Sequence, residues 1–409
     1  MRKILLASSA LVGVAMLAAP AFAGDLTVKL SGYDDAMLGF NTETATTSST
    51  SAGADVKSNN VGMENLFDIN VSVEGKGSNN LDYGAMISLW NGPSYSNGWS
   101  PSATSATAVT EQQAYVWMSN NWGKVMMGDA HGATDLFVYA PTVGSNQIDG
   151  YYQQFLNLAR DWRALPTFID NDESSTRVTY YTPKVSGFQG GISYTPNLYT
   201  QGMTNSSVVG PVGTAATVSN LYDNQVEAAI GWSGSYDKAN FKVTGLATTA
   251  EANDDVASAV GAHAFAQDYL SLGLGGQVGF AGFTVGASYS NAGHYDALAG
   301  QDKPQDMWTL GAKYDWGQAA FAINGELGEG YDISWAGLAP GATLGESKAG
   351  DVIDTDYIRQ YDAIGFGATY TWFPGLVSGV DVVLFNQEGE YSNVSDSGAV
   401  AILSQRVNF

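Results

Sequence analysis

Cysteine is absent from all 409 residues, so neither disulfides nor thiolate metal sites contribute to stability, even though the leader described below sends the chain to a compartment where disulfides form. Basic residues are few: 17 Lys+Arg stand against 40 Asp+Glu, for a formal charge of −23 and a pI near 4.2. That balance excludes nucleic acid as a partner, because phosphate binding needs concentrated positive charge. Histidine is scarce, and His131, His263 and His294 all fall in or beside segments that read as loops. No serine signature accompanies them for a Ser-His-Asp arrangement, and no paired-His spacing suggests zinc, so no enzymatic centre is expected. The Gly273-Leu-Gly-Gly276 run lies in a strand pattern and opens no helix, which argues against a nucleotide fingerprint. Beyond the first two dozen residues no apolar run reaches the roughly 20 residues of a spanning helix. What is abundant is Gly (49), Tyr (22) and Trp (10), with a mean hydropathy of −0.08, a composition too rich in aromatic and aliphatic residues for disorder.

The N-terminus carries the three parts of a secretory signal: Arg2 and Lys3, an apolar run from Ile4 to about Leu17, and Ala21-Phe22-Ala23 as an A-x-A cleavage pattern. The reading is a signal peptide over 1–23 and a single mature domain over 24–409, with no linker.

Period-two alternation dominates the mature chain. Phe67, Ile69, Val71 and Val73 alternate with Asp68, Asn70, Ser72 and Glu74. Trp308, Leu310, Ala312, Tyr314 and Trp316 alternate with Thr309, Gly311, Lys313 and Asp315, and Ile364, Phe366, Ala368, Tyr370 and Trp372 with Gly365, Gly367, Thr369 and Thr371. The face opposite the large residues is too small and polar for a dry core. A soluble sandwich would bury its apolar face against a second sheet, whereas a membrane barrel shows that face to lipid between aromatic girdles.

Connection lengths decide between the two. Short turns at 76–80, 120–123, 184–187, 235–237, 281–282, 316–317 and 374–375 alternate with long segments at roughly 41–59, 91–109, 130–173, 198–222, 251–265, 293–304 and 331–359. Short turns on one rim and long loops on the other are the outer-membrane pattern. The expected fold is an all-β transmembrane antiparallel β-barrel of 16 strands, with 18 as the alternative count.

The segment Ala130–Glu173 is too long to be structureless in a compact domain without a task. Tyr151, Phe155, Leu158 and Trp162 recur at helical spacing, with Asp149 placed to cap a short amphipathic helix. Arg160 and Arg163 flank that helix, and Asp170-Asn-Asp-Glu173 closes the segment. The expectation is a loop folded into the lumen, narrowing it.

Leu26-Thr-Val-Lys-Leu-Ser-Gly-Tyr33, Trp122-Gly-Lys-Val-Met-Met-Gly128, Thr176-Arg-Val-Thr-Tyr-Tyr-Thr-Pro183 with Gly187-Phe188, and the closing Arg406-Val-Asn-Phe409 together resemble the Gram-negative general porins, more closely those of α-proteobacteria. The resemblance spans the mature chain. It implies a homotrimer of 16-stranded barrels in the outer membrane, a third external loop folded inward as a constriction, and passive diffusion of small hydrophilic solutes and ions. It also implies that Phe409 and Val407 form a terminal signal read by the outer-membrane assembly machinery, with Gln405 departing from the apolar alternation. The Pro-Glu-Phe-Gly-Gly loop tip of many relatives is absent, and Asp129 and Tyr33 stand where basic residues are frequent.

A diffusion pore needs a transverse field and a size limit rather than a reaction centre. Lys29 and Arg177 have inward parity on the wall, and Asp161, Asp170, Asp172 and Glu173 are the acidic candidates on the loop, with Arg160 and Arg163 facing either way; the alternative for the arginines is pairing with Asp161 or wall carboxylates, which would brace the loop. The acid excess implies a weak preference for cations. Asp170, Asp172 and Glu173 could offer oxygens to a structural Ca²⁺, but they lack the spacing of a calcium loop and read rather as a solvated acidic rim. No other cofactor is expected. The alternative is a substrate-specific channel, for sugars or other small solutes, to which Tyr151, Tyr152, Trp162 and Tyr181 would contribute stacking faces.

Overall fold

The computed structural model describes residues 26–46, 60–91, 109–144, 152, 155–156, 175–198, 222–252, 267–295, 305–331, 358–389 and 394–409, and the structural statements below concern these. The leader and most of the long external segments lie outside them. The elements are β1 (Thr27–Asn41), β2 (Thr44–Thr46), β3 (Val61–Lys76), β4 (Asp82–Trp90), β5 (Thr110–Asn120), β6 (Gly123–Asp129), β7 (Thr176–Tyr181), β8 (Phe188–Asn197), β9 (Tyr222–Tyr236), β10 (Ala239–Ala252), β11 (Tyr269–Phe280), β12 (Phe283–Gly293), β13 (Gln305–Trp316), β14 (Ala319–Tyr331), β15 (Ile358–Phe373), β16 (Leu376–Gly389) and β17 (Val394–Asn408). Every neighbouring pair is antiparallel, and β1 closes the ring by pairing with both β3 and β17.

The three-residue β2 is not a separate stave. Asn41 faces Val400, and Thr44 faces Ser397 in unbroken register, so β2 continues β1 along the same partner. The wall therefore has sixteen strands, the expected number. Closure removes both sheet edges and pairs the backbone groups that lipid could not satisfy. Tight turns close one rim: at Ala281-Gly282 both residues have positive φ (50° and 86°), the type I′ geometry whose twist matches the flanking strands. The last hairpin is shorter than the others at its external end, because β17 already begins at Val394.

Alternation places side chains as the periodicity predicts. On β13, Trp308 and Leu310 are exposed outside while Met307 and Thr309 are buried inside, and on β15 Ile364, Phe366, Tyr370 and Trp372 point outward. In a soluble protein such exposed apolar area would be a liability; here it is the surface presented to lipid. Gln405, the polar exception on β17, does not hang unsupported in that surface. Its Oε1 accepts from Ser378 Oγ at 2.7 Å, and Ser378 Oγ in turn accepts from Trp372 Nε1 at 2.8 Å. The terminal Phe409 is fixed by reciprocal backbone bonds with Gly32 at 2.9 and 3.0 Å.

Candidate functional site

The loop after β6 enters the barrel at once. A backbone folded into a lumen loses water, so its N–H and C=O groups need protein partners. The wall supplies them from inward Ser, Thr, Gln and Tyr side chains. Ala133 N–H donates to Ser193 Oγ (2.6 Å), Tyr181 Oη donates to the Gly132 carbonyl (2.7 Å), and Thr179 Oγ1 donates to the His131 carbonyl (3.3 Å). Further along, Val138 N–H donates to Thr244 Oγ1 (2.9 Å), Gln277 Nε2 to the Tyr139 carbonyl (2.7 Å), and Ala140 N–H to Thr309 Oγ1 (3.3 Å). The chain thus runs along the inner wall from β7 to β13, and at Gly144 it lies against the Asp381 carboxylate of β16. Close approach needs bare backbone beneath it: a Cβ at Gly275 would overlap the Val138 carbonyl.

The loop is anchored again on the far side. Tyr152 and Phe155 are buried in a cluster with Met37 of β1, Leu66 of β3, Met307 of β13, Tyr361 and Ala363 of β15, Val383 and Phe385 of β16, and Val400 and Ile402 of β17. Tyr152 Oη hydrogen-bonds Tyr361 Oη, and Asn41 Nδ2 donates to the Phe155 carbonyl at 2.5 Å. The Phe155 ring occupies the space a side chain at Gly39 would need. The expected inward-folded loop is therefore present, held by polar contacts at its root and an apolar cluster across the lumen.

Of the wall candidates, Arg177 is inward but fully buried, its Nη1 2.5 Å from Glu227 Oε1, with both side chains 0% exposed. Glu227 Oε2 also accepts from Thr134 N and Oγ1, each at 3.4 Å, so the pair braces the loop root. Lys29 is inward too but pairs with Glu74 at 2.6 Å near the short-turn rim. It stands eight positions from Met37, about 27 Å along the strand at 3.4 Å per residue, so the structure does not bring it to the loop. Arg160, Asp161, Arg163, Asp170, Asp172 and Glu173, the acidic run considered for Ca²⁺, and most of the expected Tyr151–Trp162 helix lie outside the described residues. Arg406 pairs with Asp35 at 2.9 Å, its guanidinium 4.2 Å above the Tyr33 ring.

Sequence reasoning missed further inward groups. Glu64, Glu326 and Asp381 share parity with neighbours that line the lumen, so the alternation of β3, β14 and β16 carried that signal. Most described aromatic residues of the wall point outward, but Tyr33, Trp90, Tyr115 and Trp117 point inward on β1, β4 and β5, opposite in parity to the exposed Leu30, Leu89, Val116 and Met118.

A closed antiparallel wall, apolar outside, polar inside and narrowed by a loop of its own, is a transmembrane pore barrel. Residues 7–390 match the Gram-negative porin family, and the chain belongs to it. Two solved structures with the same fold are a mutant of Rh. blastica porin (TM-score 0.51, 15% identity, 94% of this chain and 100% of that one) and the anion-selective porin from Comamonas acidovorans (TM-score 0.54, 12% identity, 94% and 100%). Among curated proteins, the uncharacterized protein RP068 of Rickettsia prowazekii is 21% identical over 377 residues, 76% of this chain and 79% of its own length. An uncharacterized protein of Rickettsia bellii is 26% identical over 118 residues, 24% of this chain, which spans 27% of that protein's length. Family and fold together support an outer-membrane channel.

Proposed function

We propose that the protein is an outer-membrane porin through which small hydrophilic solutes and ions diffuse passively, with a weak preference for cations. The observation that carries this reading is the described part of the long loop, residues 130–144, 152, 155 and 156, seated inside a closed barrel with a polar inner wall, which narrows the lumen. The cation preference rests on the wall beside the loop. Asp35, Glu64, Glu227, Glu326 and Asp381 stand on the strands it leans against, while among the described side chains there the guanidinium groups of Arg177 and Arg406 are each paired with one of these carboxylates. Excess charge of one sign in a narrow, low-dielectric passage selects the opposite ion. The loop acids Asp161, Asp170, Asp172 and Glu173 would strengthen the same field.

The chain reaches the membrane, in this reading, through cleavage after Ala23, assembly machinery that recognises Phe409 and Val407, and association into homotrimers. The outer face supports the trimer. From β8 to β16 it carries Phe188, Trp232, Phe283, Tyr289, Trp308, Trp316, Tyr370 and Trp372, the aromatic girdle of a lipid contact. From β1 to β6 the outward rings are fewer (Phe40, Phe67 and Tyr83), and Leu30, Leu38, Met63, Ile69, Val71, Ile87, Val116, Met118 and Met127 dominate, with Asp34 among them. Packed aliphatic and methionine side chains with an occasional charge suit a subunit interface better than hydrocarbon.

The test is step conductance and reversal potential of the detergent-extracted protein in a planar bilayer under a KCl gradient. Large ohmic steps closing in thirds, with a cation-side reversal that shifts toward zero in Glu64→Gln and Asp381→Asn, are expected. Folded protein that gives no steps would remove the open-pore reading. Small steps blocked by a single neutral solute class would favour the substrate-specific alternative.

A further inference from the structure

The described part of the loop starts at the end of β6, runs along the wall from β7 to β13 and is anchored on β1, β3, β13 and β15 to β17, so β4, β5 and β6 form the stretch of wall between that anchor and the loop root. The inner face of that stretch differs from the rest of the wall. Tyr115 and Trp117 of β5 are inward and only partly buried, and the Trp117 indole leans over Gly84 of β4, where a Cβ would come within 2.8 Å of it. Lys124, the diagonal neighbour of Trp117 on β6, holds its ammonium 5.2 Å from the indole centroid. On the adjoining stretch of wall, Arg406 sits 4.2 Å over Tyr33, whose cross-strand partner is Asp68. At two separate places the lumen therefore presents an aromatic face already taken by a cation.

We infer that this face is a recognition track for organic cations, solutes that pair an ammonium or guanidinium group with an apolar or aromatic body. A cation over an aromatic ring is attracted by the ring's quadrupole, more strongly when the site is partly desolvated. Lys124 and Arg406 are side-chain surrogates for such a solute. A sugar track would need ring faces left open to the C–H face of a pyranose, and here those faces meet cations instead. The mobile counterpart of each tethered cation is a solute that displaces it, its charge drawn in by the carboxylates of the wall and its body resting on Tyr115, Trp117 or Tyr33. The inference rests on the pore reading above and narrows it to a solute class.

The experiment is transient block of the KCl current through single pores by phenyltrimethylammonium, compared with phenylacetate and glucose at equal concentration. Block by phenyltrimethylammonium alone is expected. Its apparent dissociation constant should rise roughly 2- to 10-fold in Trp117→Leu, the range of one cation–π contact, and rise similarly in Tyr33→Leu. It should fall in Lys124→Ala, which uncovers the Trp117 face without removing it. A merely structural role for these rings would not give opposite signs in Trp117→Leu and Lys124→Ala. Equal block by all three probes, or block unchanged in all three folded, conducting variants, overturns the inference while leaving the pore intact. Absence of KCl steps from folded wild-type protein overturns the pore reading and this inference with it.

Discussion

The charged pair Arg177–Glu227 shows how one residue can be legible by position and misleading by role. Parity alone puts Arg177 inside the barrel. Its partner lies 50 residues away on β9, and the two meet because Arg177 reaches past β8, whose Thr195 and Ser193 register with Gln225 and Glu227. No local pattern in the sequence carries that register, since each strand alternates in the same way whatever its neighbour. Both side chains being fully buried, removal of one leaves an uncompensated charge in low dielectric, while removal of both does not. Glu227→Gln and Arg177→Ala should each destabilise the barrel by about 3–5 kcal/mol, lowering the temperature at which the folded band is lost on a gel. The double replacement Arg177→Met/Glu227→Leu should recover most of that loss. If the double variant is as labile as the singles, the pair matters through the hydrogen bonds of Glu227 to Thr134 rather than through its charge balance.

At the scale of the element, the loop is where sequence and structure agree in outline and part in detail. Length, an aromatic stripe and concentrated charge mark it as an insertion with a task, and Phe155 of that stripe is indeed buried. Tyr152, which would line a solute path only in the substrate-specific alternative, is instead sealed against Tyr361 and Phe385. Helical spacing predicts which residues share a face but not which wall that face will meet, because the receiving surface is assembled from β1, β3 and β13 to β17, strands from opposite ends of the chain. The cluster holds the loop in place, so its strength sets how often the constriction is closed. Phe155→Ala should forfeit about 3–5 kcal/mol of packing and release the loop from the β1 side without touching the barrel staves. Single-pore conductance is expected to rise, with added current noise, and the folded band should be lost at a lower temperature than in wild type. Gly39→Val attacks the same contact from the wall, since its side chain claims the space of the Phe155 ring, and should have the same effect. Unaltered conductance in both would mean that the width is set elsewhere along the loop.

For the whole molecule, strand number, alternation and the asymmetry of the two rims were legible because lipid on one side and water on the other impose a period of two on every stave. The proposed division of the outer surface into lipid-facing and subunit-facing sectors was not, since an apolar outward face satisfies either neighbour. The difference is one of degree in side-chain kind: outward rings are frequent from β8 to β16 and fewer (Phe40, Phe67 and Tyr83) from β1 to β6, where aliphatic chains and methionine prevail and Asp34 is exposed. Two charge substitutions separate the sectors. Leu310→Arg places a guanidinium in the lipid-facing band of β13, where such a change costs about 2–4 kcal/mol near the bilayer midplane, and folded protein recovered from membranes should drop. In the proposed trimer, Val71→Arg on β3 would be buried between like subunits rather than in hydrocarbon. It should leave barrels that insert and remain heat-modifiable, yet migrate as monomers and open in single steps instead of thirds. Should Val71→Arg fail to insert as Leu310→Arg does, the β1 to β6 face meets lipid and the trimer must form elsewhere; should it insert and still close in thirds, the contact lies outside β3.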